Sequence, residues 1–279
     1  MFNSNMFQSI KAALNKDEDK GSGLYTEILK TTPGNTYTVR LLPYSKDPSK
    51  TFFHHYTHGW SSFSTGKYVQ ALSPTTFNER DPISEERFRA MRTGSDEEKS
   101  RMGAVRRSEK WLVNVYVVED PSNPDNNGKV KILRYGKQLQ KIIMEAIEGE
   151  DSEEYGEKIF DLGSEGVNFK IKVEQQGDYP TYVASRFTST NKLKLSEDDQ
   201  KKIYDSVFDL TKVNSIKSYD ELKQMIADHI YVVNTDSEKV IHQEASKPLS
   251  NVSVNQQVPT FTAVETSVED DIDELLKDL

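Results

Sequence analysis

The stretch from Lys110 to Lys137, "KWLVNVYVVEDPSNPDNNGKVKILRYGK", limits the possible folds of this chain more than any other. Its first third is dense in β-branched and aromatic residues and predicts a strand. Pro121, Pro124 and Gly128, set among asparagines, break any continuation of that strand. Strand composition then returns in "KVKILRY". Strand, turn and strand in this order predict a hairpin with a long loop. A hairpin is marginal alone in water, so further strands must pair with it and cover it.

Those partners are visible. "TYTVRLLPY" and "TFFHHYTHGW" read as strands, and "VNFKIKVEQQ" alternates cleanly, with Val167, Phe169, Ile171 and Val173 on one face. Helices fall between and after them. "KQLQKIIMEAIE" puts Leu139, Ile142, Ile143 and Ile147 on one side. "SEDDQKKIYDSVFDL" opens on an N-cap serine, Ser196, with acids in the first turn. "SYDELKQMIADHI" opens on the capping-box pair Ser218 and Glu221 and continues with Leu222, Met225, Ile226 and Ile230. The class is therefore α+β.

Order along the chain suggests four regions. Residues 1–20 read as an arm too short to bury a core. Residues 21–231 hold the dense pattern. Residues 232–267 are rich in Ser, Asn, Gln, Thr and Val and read as a linker. Residues 268–279, "VEDDIDELLKDL", carry six acids against one lysine, so this tail supplies more than half of the net charge of −9. Within it Ile272, Leu275, Leu276 and Leu279 recur at helical spacing, which predicts a docking face for a protein partner. No run approaches the roughly 20 apolar residues of a membrane span. "MFNSNMFQSIKAALNK" has no signal-peptide core, so an intracellular protein is expected.

Motifs of catalysis are missing. "GSGLYTE" lacks the G-K-[ST] of a phosphate loop, no G-x-S-x-G is present, and paired acids lie in polar runs. With no cysteine there are no thiolate ligands; His54 and His58 of "HHYTH" share a strand face but fall short of a closed metal site. What recurs instead is cations beside aromatics: Arg40; Lys67 and Tyr68; Arg106, Arg107, Lys110 and Trp111; Arg134 and Tyr135; Tyr179, Tyr182 and Arg186. Aromatic faces stack on unpaired bases while neighbouring cations take phosphates, the chemistry of sequence-tolerant single-strand binding. A five-stranded Greek-key oligonucleotide-binding (OB) barrel is the fold that best displays such a set. The competing expectation is a protein–protein adaptor acting through the acidic amphipathic tail.

The order of these features resembles the single-stranded-DNA-binding, helix-destabilising proteins of T-even-type bacteriophages. The resemblance rests on "WLVNVYVVEDPSNPDNNGKVKILRYGK", on "VRRSEKW", on "EGVNFKIKVEQ", on "KSYDEL" before a helix and on the terminal "DIDELLKDL". It implies an OB-fold core with a small added subdomain around 54–90, and cooperative coating of single-stranded DNA in replication, recombination and repair. It also implies a tail that meets phage replication and recombination proteins, and a place in the cytoplasm of an infected bacterium. By motif position the family's DNA-contacting cations fall on Arg40, Arg106, Arg107 and Arg134. Its stacking rings fall on Tyr68, Trp111, Tyr179 and Tyr182. Two of its aromatic positions are Leu133 and Lys110 here, with Tyr135 a partial substitute for the first.

Two departures change what is expected. The family's zinc site has one histidine and three cysteines; this chain keeps His58 but has Ser73, Asp81 and Ser84 in place of the cysteines. No structural zinc is therefore expected, and packing by Pro74, Phe77, Pro82, Ile83 and Phe88 should hold the subdomain. The family's basic cluster at the start of the arm is Asn3, Ser4 and Asn5 here, so self-association on DNA should rest on Phe2, Met6, Phe7 and Ile10.

Overall fold

The structure, a computed structural model, describes residues 23–190 and 192–231. The expected arm, linker and tail lie outside the described residues, and with them Phe2, Met6, Phe7, Ile10, Ile272, Leu275, Leu276 and Leu279.

The described strands are β1 (Thr36–Leu42), β2 (Phe52–Ser61), β3 (Tyr68–Leu72), β4 (Arg106–Glu119), β5 (Val130–Tyr135), β6 (Val167–Lys172), β7 (Glu174–Gln176), β8 (Tyr179–Thr181) and β9 (Arg186–Thr190). The described α-helices are α1 (Pro82–Thr93), α2 (Asp96–Gly103), α3 (Lys137–Glu148), α4 (Glu197–Asp205) and α5 (Tyr219–His229). Seven strands form one sheet in the order β3-β2-β4-β1-β6-β9, with β5 also on β4, while β7 and β8 make a separate hairpin. Every strand pairing is antiparallel. The mixed α+β class matches the sequence reading.

The hairpin predicted from Lys110–Lys137 is β4 and β5, in register from Trp111↔Tyr135 to Tyr116↔Val130. Its loop is organised by buried Asp120, whose carboxylate accepts from the backbone N–H of Ser122 and Asn123 at 2.9 Å each and from Asn126 Nδ2 at 2.7 Å. Gly128 closes the turn at φ 78°, where a side chain would be strained. β4 is 14 residues long and serves three neighbours. It pairs with β2 along 106–113 and with β1 along 114–119 on one edge, and with β5 on the other.

Two cores result. The larger packs β1, β4, β5, β6 and α3, with Val167, Phe169, Ile171 and Val173 buried as their alternation predicts, and Leu139 and Ile143 contributed by α3. The smaller packs Trp60 and Ala71 against Ile83, Ala90 and Met102 of α1 and α2 and Leu222 and Ile226 of α5. Both capping serines work as expected: Ser196 accepts from Asp199 N, and Ser218 and Glu221 form the complete box. Helices α1 and α2 were not foreseen. α1 starts where Asp81 accepts from the N–H of Ile83 and Ser84, with Pro82 in its first turn. α2 starts on a second capping box, Ser95 with Glu98. Of the residues expected to pack this region, Pro74, Pro82 and Ile83 are buried, Phe77 is half-buried, and Phe88 faces solvent, because it lies on the outer side of α1.

Candidate nucleic-acid interface

The registers β3–β2, β2–β4 and β4–β5 run without a shift, so paired residues share a face and alternate residues take opposite faces. One face carries Tyr68, Gly59, Arg106, Ser108, His55, Lys110 and Arg134. No Asp or Glu occupies this face along 53–61, 68–72, 106–116 or 130–134. Its lower half, Leu112 and Ile132, is covered by Leu210, Val213, Leu24, Ile28 and Phe208. Its upper half is open: Arg106 and Arg134 are exposed, Ser108 and Lys110 half-buried, and Tyr68 is 69% exposed.

Tyr68 reaches across β2 there. A Cβ on Gly59 would collide with its hydroxyl, so glycine at 59 lets the ring rest on the β2 backbone with its outer face free. Arg106 pairs directly with Gly59, beside that ring. At the other side Arg134 donates to Tyr25 Oη at 2.7 Å and lies 5.5 Å from the Tyr25 ring centroid. Between them is Lys110, whose Nζ would sit 3.3 Å from a Cβ on Gly136. Gln138 in the first turn of α3 accepts from Tyr182 N at 2.9 Å, which ties the β7–β8 hairpin to the same corner. Tyr179 is exposed on that hairpin. Tyr182 is half-buried and shares a hydrogen bond with Thr31 Oγ1 at 3.2 Å. Arg186 is exposed on β9, paired with Lys170.

The opposite face is neutralised. Glu109 meets His54 Nε2 at 2.7 Å and Lys137 Nζ at 3.0 Å. Burial alone would raise the pKa of Glu109, but the hydrogen bonds from Lys137 and His54 outweigh it and hold it down. Arg107 lies 4.0 Å from the Tyr56 ring centroid and donates to Thr75 Oγ1 at 3.1 Å. Trp111 is flanked on both sides, by His54 at 4.6 Å and by Tyr135 at 6.3 Å. Tyr135 is buried and donates to Gln140 Oε1 at 3.0 Å. Arg107, Trp111 and Tyr135, expected to contact nucleic acid, thus face away from the open cationic surface and already have protein neighbours.

Arg40 needs a larger correction. Its side chain is fully buried and donates to Asn168 Oδ1 at 2.9 Å, Asp161 O at 2.9 Å and Gly163 O at 3.1 Å. It is a structural cation inside the fold. Of the expected cations, Arg106 and Arg134 share the open face with Tyr68, while Arg107 and Arg40 do not. Tyr25 and the position of Lys110 escaped the sequence reading; parity relative to Arg106 was the one available signal for Lys110.

The four positions that would answer to a zinc site do converge. His58 Nε2 meets Asp81 Oδ2 at 2.6 Å, Ser73 donates to the same oxygen, and Ser84 Oγ lies 3.2 Å from it. Burial raises the Asp81 pKa, but hydrogen bonds from His58, Ser73 and the Ser84 backbone prevail and bring it to about 2. Two ligands of a tetrahedral zinc sit about 3.3 Å apart, farther than the His58–Asp81 contact. Among the described residues no group of three or more His, Asp or Glu gathers to hold a metal. His58, Ser73, Asp81 and Ser84 form a hydrogen-bonded clip joining β2, the segment after β3 and α1.

Comparison with known proteins places residues 34–230 within a family described as "gp32 DNA binding protein like". The chain is 25% identical over 272 residues to the single-stranded DNA-binding protein of Enterobacteria phage T2, covering 95% of this chain and 88% of that one. It is 27% identical over 212 residues to the single-stranded DNA-binding protein of Enterobacteria phage T4, covering 74% and 68% respectively.

Proposed function

The chain belongs to the gp32 DNA-binding-protein-like family, of the T-even phage type, and from that premise we propose that it binds single-stranded DNA on the open face of β2, β3, β4 and β5. The observation that carries the proposal is that face itself: Arg106, Lys110 and Arg134 without an acid among them, beside the exposed ring of Tyr68. Cations take phosphates and the ring takes a base. The protein acts by binding and not by catalysis. Its sheet is an OB-type barrel wall, and its small subdomain closes without metal through the His58–Asp81 clip. It coats DNA cooperatively through its arm, in phage replication, recombination and repair in the cytoplasm of the infected bacterium. The acidic tail competes with DNA for the cationic face and docks replication partners when released.

Anisotropy titration of a labelled oligothymidylate over a range of salt tests the reading. Single-strand affinity falls with a log–log slope of about −0.7 per neutralised phosphate, so a face that neutralises two phosphates gives a slope of about −1.4 or steeper. Arg106→Gln is expected to flatten it by about 0.7. Deleting residues 1–16 is expected to lower cooperativity on poly(dT) and spare affinity for a one-site oligomer. Truncation after Ser267 is expected to tighten binding. A full-length chain that leaves the oligomer unbound at low salt overturns the proposal, and the adaptor reading, with the tail as the active part, takes its place.

A further inference from the structure

We propose that Lys110 and Arg134 together hold one phosphate of the bound strand. The inference rests on the single-strand reading above and refines it.

Lys110 pairs with His55 across β2–β4, and Arg134 pairs with Leu112, two residues along on the same face. Lys110 and Arg134 are therefore diagonal neighbours, close enough for long side chains to converge. A surface lysine ordinarily extends to water or to an acid. Lys110 has no acid to meet: it is half-buried, its Nζ lies beside Gly136, and its own face offers no carboxylate. The guanidinium of Arg134 is aimed by Tyr25, through the hydroxyl contact and the ring beneath it. The third nitrogen base, His55, is buried; burial, with smaller contributions from Arg134, His54 and Lys110, pushes its pKa down to about 4 and keeps it uncharged at neutral pH.

The free protein thus holds two like charges together in a partly desolvated corner. Burial first and Arg134 second lower the Lys110 pKa, which is the mark of an ammonium in want of an anion. A phosphodiester supplies two oxygens and one negative charge, enough to accept from both side chains at once. An aromatic residue at 110 could contribute stacking but no counter-charge.

The test uses the full chain, with Lys110→Gln, Arg134→Gln and the double variant. Each is titrated with oligothymidylate and with an abasic oligomer of the same phosphate number, and each is melted thermally. Lys110→Gln is expected to weaken both oligomers about tenfold at low salt and to flatten the salt slope by about 0.7. The double variant should lose less than the two single losses combined, since the pair shares one phosphate. The free Lys110→Gln protein should melt at the same temperature or higher, because a repulsion is removed. Lys110→Tyr should leave the slope flattened. An unchanged slope in Lys110→Gln, or a loss confined to the base-bearing oligomer, overturns the seat while leaving single-strand binding intact. A parent chain that binds neither oligomer overturns the function itself.

Discussion

Arg40→Ala is expected to destabilise the fold by about 3–5 kcal/mol, the range for removing one partner from a buried charged network. The affinity for DNA of the molecules that remain folded should not change. The guanidinium bridges β1 to β6 through Asn168 and also accounts for the carbonyls of Asp161 and Gly163. The segment closes tightly over it: a Cβ on Gly166 would collide with Arg40 and with the Asp161 carbonyl. Alanine would leave the buried Asn168 oxygen and two half-buried carbonyls without this donor, and a cavity beside them. Urea unfolding monitored by circular dichroism gives the cost, and oligothymidylate titration of the native fraction gives the affinity. A stable variant with weakened binding would return Arg40 to the interface that its sequence position suggested.

The second large effect is expected at Asp81. Its two oxygens serve His58, Ser73, Ser84 and the first N–H groups of α1. Asp81→Ala should cost about 3–5 kcal/mol, since it strips an N-cap and leaves a buried imidazole and hydroxyl without their acceptor. The pH dependence has a definite sign. The folded carboxyl titrates near 2, below the ordinary value of 3.8. The clip's contribution is therefore complete above about pH 4 and lost as pH falls toward 2. Asp81→Asn should flatten the acid limb of the unfolding curve, and an unaltered limb would show that the clip does not govern acid stability.

Much of this was legible in the residues, and the failures have identifiable causes. The β4–β5 hairpin, the alternation of β6 and the capped helices α4 and α5 announce themselves through composition, period and caps. The interface was harder because "RRSEKW" places a cation in each parity. Arg106 and Lys110 alternate with Arg107 and Trp111, and only pairing with β2 and β5 decides which set meets water. Arg40 was misread because β1 is buried on both faces after its first residue, so no alternation betrays which polar residue is enclosed. Helix α1 was hidden by the likeness of "DPIS" to a metal-ligand motif, although aspartate followed by proline is itself a helix start. Tyr25 came to Arg134 through the 23–29 segment running beside β5, a long-range contact that local pattern does not encode.

The His58–Asp81 clip also bears on how the protein is made. Every group in it is encoded in the chain, so the small core can close as soon as its strands and helices meet. With no thiols in the chain, an oxidant finds no sulfur ligand to attack there. Its vulnerability is to acid, which protonates the Asp81 carboxylate that holds it.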